Sequence, residues 1–235
     1  MSDYSPGFYR NICNGVQRSA KVIVPLVMNL VNPKSVVDLG CGTGGFLAEF
    51  QKYGIPDILG MDGEWARKQL SIPEDKFIPV DLSKPLDLHK KYDLVVSLEV
   101  AEHINPNAVD IFVKNVVTMG DIILFAAAIP GQGGVQHINE QWPEYWVRKF
   151  NDQDYVCVDC IREKIWTDRT VEFWYRQNIL LFVRRSYMNN HQKIGRELQR
   201  CGEGALSLVH PELFRSRTYP VSFFDWLRAK FKGMV

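Results

Sequence analysis

The sequence predicts an α/β fold: a doubly wound, mostly parallel seven-stranded sheet with helices on both faces. Three observations predict it. Short apolar runs alternate with helical patterns along most of the 235 residues, and such alternation builds parallel strands joined by crossover helices. A glycine-rich turn, Gly40-Cys41-Gly42-Thr43-Gly44, follows the first of these runs and opens a helix. The composition is 46% hydrophobic and 23% charged, which is ordinary for a globular domain and excludes a disordered chain, a collagen or a coiled-coil rod.

The elements follow in order. Residues 19–31 read as a helix, with Pro33 beyond its end. Residues 35–39 form a short Val-rich strand closed by glycines, and residues 44–53 a helix. Residues 58–61, 77–80 and 92–98 are the next three strands, the last strongly apolar. A helix over 106–117 leads to a fifth strand over 121–127, and a further helix covers 140–150. Residues 155–161 and 178–184 complete the seven strands. In open sheets of this kind, ligands bind beyond the carboxyl ends of the strands at the point where strand order reverses. The strand-to-helix turns are therefore where function should lie.

Lys+Arg is 28 against 27 Asp+Glu, a net charge of +1. A protein that wraps extended nucleic acid carries a large basic excess, so that class is set aside. The charge is uneven. From Arg184 onward ten basic residues face four acidic ones. This divides the chain into a domain over residues 1–185, with an N-terminal helical lid, and a basic helical extension over 186–235. Within the extension, residues 223–232 mix aromatics and cations at near-helical spacing. They fit a terminal helix packing Phe223, Phe224, Trp226 and Leu227 on the domain. The rival use is docking on an anionic membrane or an assembly partner.

The apolar run over 22–31 contains Pro25 and Asn29 and is about half the roughly 20 residues that span a bilayer. No basic segment followed by an apolar one precedes it, so no signal peptide is expected. The five cysteines, an odd number in a chain of this size, read as reduced thiols of a cytoplasmic protein. Cys157-x-x-Cys160 has no second pair, which argues against a zinc site.

The turn itself is informative. Its pattern is D-x-G-x-G-x-G, with Asp38 two residues before Gly40. Glycines allow a tight turn and close approach of a ligand, and free amides at the helix start favour polar groups. A dinucleotide site wants a different glycine spacing and a phosphate partner. An acid at Asp38 suits a cationic ligand with an amino group.

Val37-Asp38-Leu39-Gly40-Cys41-Gly42-Thr43-Gly44 resembles the first motif of class I S-adenosylmethionine-dependent methyltransferases, which are Rossmann-like. Three further landmarks fall in order: Gly60-Met61-Asp62-Gly63, Asp81-Leu82, and the stretch from Tyr92 through Leu98 to Glu99. The resemblance implies that S-adenosylmethionine binds at Asp38, Gly40, Cys41, Gly42, Gly44, Asp62, Gly63, Asp81, Leu82 and Leu98. Asp62 would grip the ribose hydroxyls, and Asp81 would lie near the adenine.

The acceptor side begins at Glu99-Val100-Ala101-Glu102-His103. Positions i, i+3 and i+4 share a helical face, so Glu99, Glu102 and His103 could converge on Mg²⁺ or Mn²⁺. The arrangement resembles the E-x-x-E-H motif of small-RNA 3′-terminal 2′-O-methyltransferases and of ubiquinone-pathway O-methyltransferases. After the fifth strand, a glycine-rich loop ends at His137, a candidate general base or further metal ligand. The catalytic candidates are thus His137, His103 and Glu102, and the metal candidates Glu99, Glu102, His103 and His137. The aromatics Trp142, Tyr145, Trp146 and Phe150 are spaced as a helical stripe. Arg162 and Arg169 could meet an anionic acceptor such as a nucleotide sugar. The motif also resembles a subgroup tied to glycan assembly, which implies a small-molecule or glycan acceptor methylated on a sugar hydroxyl. The alternatives are a phenol or quinol, an RNA 3′-terminal 2′-hydroxyl, and a cofactor-binding regulatory partner without turnover.

Overall fold

A computed structural model of the chain describes residues 6–188, 191–201 and 204–218, with side chains described from residue 14. The aromatic and basic segment over 223–232 lies outside the described residues.

Seven strands form one sheet: β1 Ser35–Leu39, β2 Asp57–Asp62, β3 Phe77–Pro79, β4 Leu94–Leu98, β5 Ile122–Ala126, β6 Tyr155–Val158 and β7 Leu180–Arg184. Their order is β3-β2-β1-β4-β5-β7-β6. The first five run parallel, and β7 lies antiparallel to both β5 and β6. The sequence-predicted sheet is therefore the observed one. Order reverses between β1 and β4, so the crevice falls at their carboxyl ends.

Every residue of β4 and β5 is buried, because helices cover both faces of the sheet and no face is left for water. Alternate residues split between two cores. Val36, Leu94, Val96 and Leu124 join one core with Val24, Val27, Leu47 and Phe50. Val37, Val95, Ile123 and Phe125 join the other with Phe112, Trp146 and Phe150. The first core is closed by α1 Pro6–Leu30 and α2 Gly45–Lys52, the second by α3 Val109–Met119 and α4 Pro143–Asn151.

Three departures from the predicted elements have local causes. Helix α1 runs back to Pro6 and includes Pro25. Helix α4 starts at Pro143 rather than 140, because Trp142 is extended and proline occupies the first turn, a position where its missing N–H costs nothing. Two short helices, α5 Arg162–Ile165 and α6 Phe173–Asn178, were not predicted, being too short to show a period. Beyond β7 come α7 Arg185–Met188, α8 Gln192–Cys201 and α9 Pro211–Thr218. No helix among the described residues is long and apolar enough to cross a membrane.

Candidate active site

The turn after β1 has three glycines with positive φ, at 84° for Gly40, 54° for Gly42 and 79° for Gly44. Their surroundings differ. A Cβ on Gly40 would sit 2.3 Å from Val100 Cγ2, whereas one on Gly42 would meet nothing within 4 Å. Gly40 is glycine because β4's following turn packs against it. Gly42 lines open space.

Asp62, at the end of β2, braces this turn. The amide of Gly42 donates to its Oδ2 at 2.8 Å, and that of Gly63 to its Oδ1 at 2.6 Å. Asp38 is buried at 4% exposure. Burial first, and then the nearby Asp62 charge, push its carboxyl well above the usual range. A cationic ligand group would reverse that penalty. Burial likewise pushes the Cys41 thiol up. Leu98 is buried at the end of β4. Asp81 directly follows Val80, whose amide donates to the Asp62 carbonyl at 2.8 Å. Its carboxylate is exposed and accepts from the Ser83 amide at 3.0 Å. Leu82 beside it is half-buried.

The acceptor side is built from the β4 turn, the loop after β5 and α6. Glu99 has φ 57°, a strained value for a residue with a Cβ. Gln132 Nε2 donates to its Oε2 and Asn178 Nδ2 to its Oε1, each at 2.8 Å. Gln177 Nε2 donates to Gln132 Oε1 at 3.1 Å. These three amides are buried. Desolvation pushes the Glu99 carboxyl up to about 7 despite those bonds. Gln132, Gln177 and Asn178 were missed by sequence reasoning. Gln132 lies in a loop and Gln177 and Asn178 end a short helix, and amide side chains in such places are common.

Glu102 has zero exposure, and neither carboxylate oxygen has a hydrogen-bond partner. Burial and the neighbouring Glu99 charge hold its carboxyl well above the usual range. Its carbonyl accepts from the amides of Ile138 and Asn139, both at 2.9 Å. That pins the loop after β5 over the β4 turn and delivers His137. His137 Nδ1 bonds Glu140 Oε1 at 2.9 Å, while its Nε2 lies 3.9 Å from Glu102 Oε1. Glu140 also accepts from the amides of Gly131 at 2.8 Å and Gly133 at 2.7 Å. Burial raises the Glu140 carboxyl, but the bonds from His137 and the two amides outweigh it and lower it overall. A carboxylate accepting at Nδ1 fixes that nitrogen as the protonated one. Nε2 of His137 then carries its lone pair toward Glu102.

His103 follows the same logic. Its Nδ1 is 3.2 Å from the Gln136 carbonyl, so Nδ1 donates and Nε2 is bare. Its ring lies edge-on to that of His137, with centroids 4.8 Å apart. Burial, and then His137, lower its pKa. Glu102, His103 and His137 each place one donor atom within 4.8 Å of the others. Glu99 is outside that trio, held by its amides. The shared helical face is replaced by a single 3₁₀ turn over Ala101–His103, with the strained Glu99 before it.

The aromatic stripe divides. Trp146 and Phe150 are core, whereas Trp142 is 41% exposed. Arg162 does not face an acceptor. It is buried, ion-paired with Asp159, and donates to the carbonyls of Gln177 at 3.1 Å and Leu206 at 2.8 Å. Arg169 is exposed.

Residues 12–116 match the family described as methyltransferase domain. That match supports an S-adenosylmethionine-dependent methyltransferase domain. Solved structures with the same fold include the methyltransferase domain of bacterial CtHen1-C, at 19% identity and TM-score 0.52 over 72% of this chain and 98% of that one. The sugar N-methyltransferase KedS8 from Streptoalloteichus matches at 15% identity and TM-score 0.56, over 79% and 97%. Magnesium protoporphyrin IX methyltransferase from Synechocystis matches at 18% and 0.53, over 78% and 86%. No curated protein matches the sequence significantly.

Proposed function

We propose that this methyltransferase acts on oxygen, methylating a sugar hydroxyl of a glycan or sugar conjugate. Asp38, Gly40, Gly42, Asp62 and Asp81 would serve the methyl donor, and Glu102, His103 and His137 the acceptor. The observation that carries the reading is the fully buried, unpartnered Glu102 carboxylate facing two imidazole lone pairs. An uncompensated buried carboxylate is costly. The donor set of one carboxylate and two imidazoles fits a divalent cation, with Mn²⁺ accepting the nitrogens better than Mg²⁺. When bound, such an ion would lower the pKa of an acceptor hydroxyl and fix a pair of neighbouring oxygens.

The chain's own residues supply the rest. The glycine turn and Asp62 would hold the donor so that its sulfonium methyl faces the β4 turn. The acceptor oxygen attacks the methyl carbon as the carbon–sulfur bond breaks, and alignment is the main requirement. The hydroxyl proton must leave, and Nε2 of His137 is the basic atom placed to take it, oriented by Glu140. Residues 1–185 would form the catalytic domain, with α1 closing over α2, and 186–235 an extension. Cys41, Cys157, Cys160 and Cys201 are free, which suits work in the reducing cytoplasm.

The test is methyl transfer from labelled S-adenosylmethionine to a panel of sugars and nucleotide sugars, with Mn²⁺ or with chelator. Product from a sugar that is lost in Glu102→Gln and His137→Ala supports the reading. Transfer only to phenols, or only to RNA ends, overturns it.

A further inference from the structure

A second concave site lies beside the acceptor residues. It is a cavity of about 420 Å³, lined among others by Trp166, Arg169, Arg176, His210, Glu212 and Arg215, a size that accepts a small ligand. Three arginines face one acid there. Arg176 is 4% exposed, and its Nε has no hydrogen-bond partner. Its other nitrogens reach the Trp166 carbonyl at 3.3 Å and the Glu212 carboxylate. Arg169 and Arg215 are exposed. Trp166, half-buried, lines the cavity and meets His210 at 4.7 Å between ring centroids.

The cavity is wired to the reacting site. Arg176 is followed on α6 by Gln177 and by Asn178, which donates to Glu99 at 2.8 Å. The His210 amide donates to Gln177 Oε1, also at 2.8 Å. Helix α9, which carries Glu212 and Arg215, also sends Arg217 to the Gln132 carbonyl. His210 and α9 are therefore joined to Glu99 through Gln177, Gln132 and Asn178. Planar guanidinium groups bind phosphate oxygens in pairs, and an indole face suits a sugar ring or a base.

We infer that this cavity anchors the phosphate or diphosphate of the acceptor, making the substrate a phosphorylated or nucleotide-linked sugar. The inference rests on the O-methyltransferase reading above. An entering phosphate competes with Glu212 for Arg176, and Arg169 and Arg215 close on it from the rim.

The experiment is calorimetry on the full chain saturated with S-adenosylhomocysteine, at fixed ionic strength. UDP and pyrophosphate should each bind once per chain, and uridine should not. The double variant Arg169→Ala, Arg215→Ala, confined to exposed side chains, should weaken UDP about tenfold or more. Absence of UDP binding, or binding indifferent to the two arginines, overturns the inference. So does a short single-stranded RNA that binds through these arginines where UDP does not. The two proposals fail separately. UDP binding as expected without methylation of any sugar sinks the function and spares the cavity. A nucleotide sugar methylated equally well by wild type and the double variant spares the function and sinks the cavity.

Discussion

Replacing Glu102 with glutamine separates a metal ligand from a merely buried acid. The wild-type carboxyl has no exposure and no partner, and burial raises its pKa. Glutamine is its near-isostere and carries no charge to bury. The variant should therefore fold with a melting temperature close to wild type. Mn²⁺ should then split the pair. At a hundredfold excess over its dissociation constant, a ligand that binds only the folded state adds about 2.7 kcal/mol. For a domain of this size that raises the melting temperature by roughly 5–10 °C.

The assay is a thermal melt of both proteins with S-adenosylhomocysteine, across a Mn²⁺ titration at pH 6 and pH 8. Wild type should rise and saturate at lower Mn²⁺ at pH 8, because protons compete with a metal ion for its carboxylate and imidazole ligands. Glu102→Gln should stay flat. An equal rise in both proteins, or no rise in wild type, would refute the claim that Glu102, His103 and His137 form a cation site.

Other outcomes follow from the same geometry. Gly40→Ala, whose Cβ would fall 2.3 Å from Val100, should cost about 2–4 kcal/mol in denaturant melts. Gly42→Ala, with nothing within 4 Å, should cost only about 1 kcal/mol of backbone strain yet weaken S-adenosylhomocysteine tenfold or more by calorimetry. Asp62→Ala should reduce cofactor affinity by about 1–3 kcal/mol and loosen the turn as well, since its oxygens hold the Gly42 and Gly63 amides; unchanged affinity would refute its placement. Glu99 is pushed up to about 7 by folding, so its stabilising neutral form is present at low pH and lost as pH rises from about 4.5. Chelator-stripped wild type should lose up to about 3 kcal/mol over that window relative to Glu99→Gln, read by urea melts at each pH. Cys157 and Cys160, both pushed up to about 12 by burial, should resist alkylation at pH 8 in the native state.

The two halves of the site were legible to different depths, and the reason is physical. The cofactor half is local. Asp38, Gly40 and Gly42 sit in one turn whose backbone demands glycine, and Asp62 reaches it through adjacent parallel strands paired from Ser35 to Leu39. A turn that must adopt positive φ leaves its mark in the sequence. The acceptor half is assembled across the chain. His137 reaches Glu102 only because the amides of Ile138 and Asn139 bond the Glu102 carbonyl, and Asn178 reaches Glu99 from 79 residues away. Helical spacing grouped Glu99 with Glu102 and His103, whereas the donor atoms that lie together are those of Glu102, His103 and His137, because a strained residue at φ 57° breaks the period. Of the two amides that hold Glu99, Gln132 lies in a loop and Asn178 ends α6, six residues long and too short to announce itself. That separation has a consequence for the chemistry. Since the bonds from Asn178 and Gln132 offset part of the burial that raises Glu99, losing Asn178 from α6 should raise Glu99 further while leaving S-adenosylhomocysteine affinity unchanged by calorimetry.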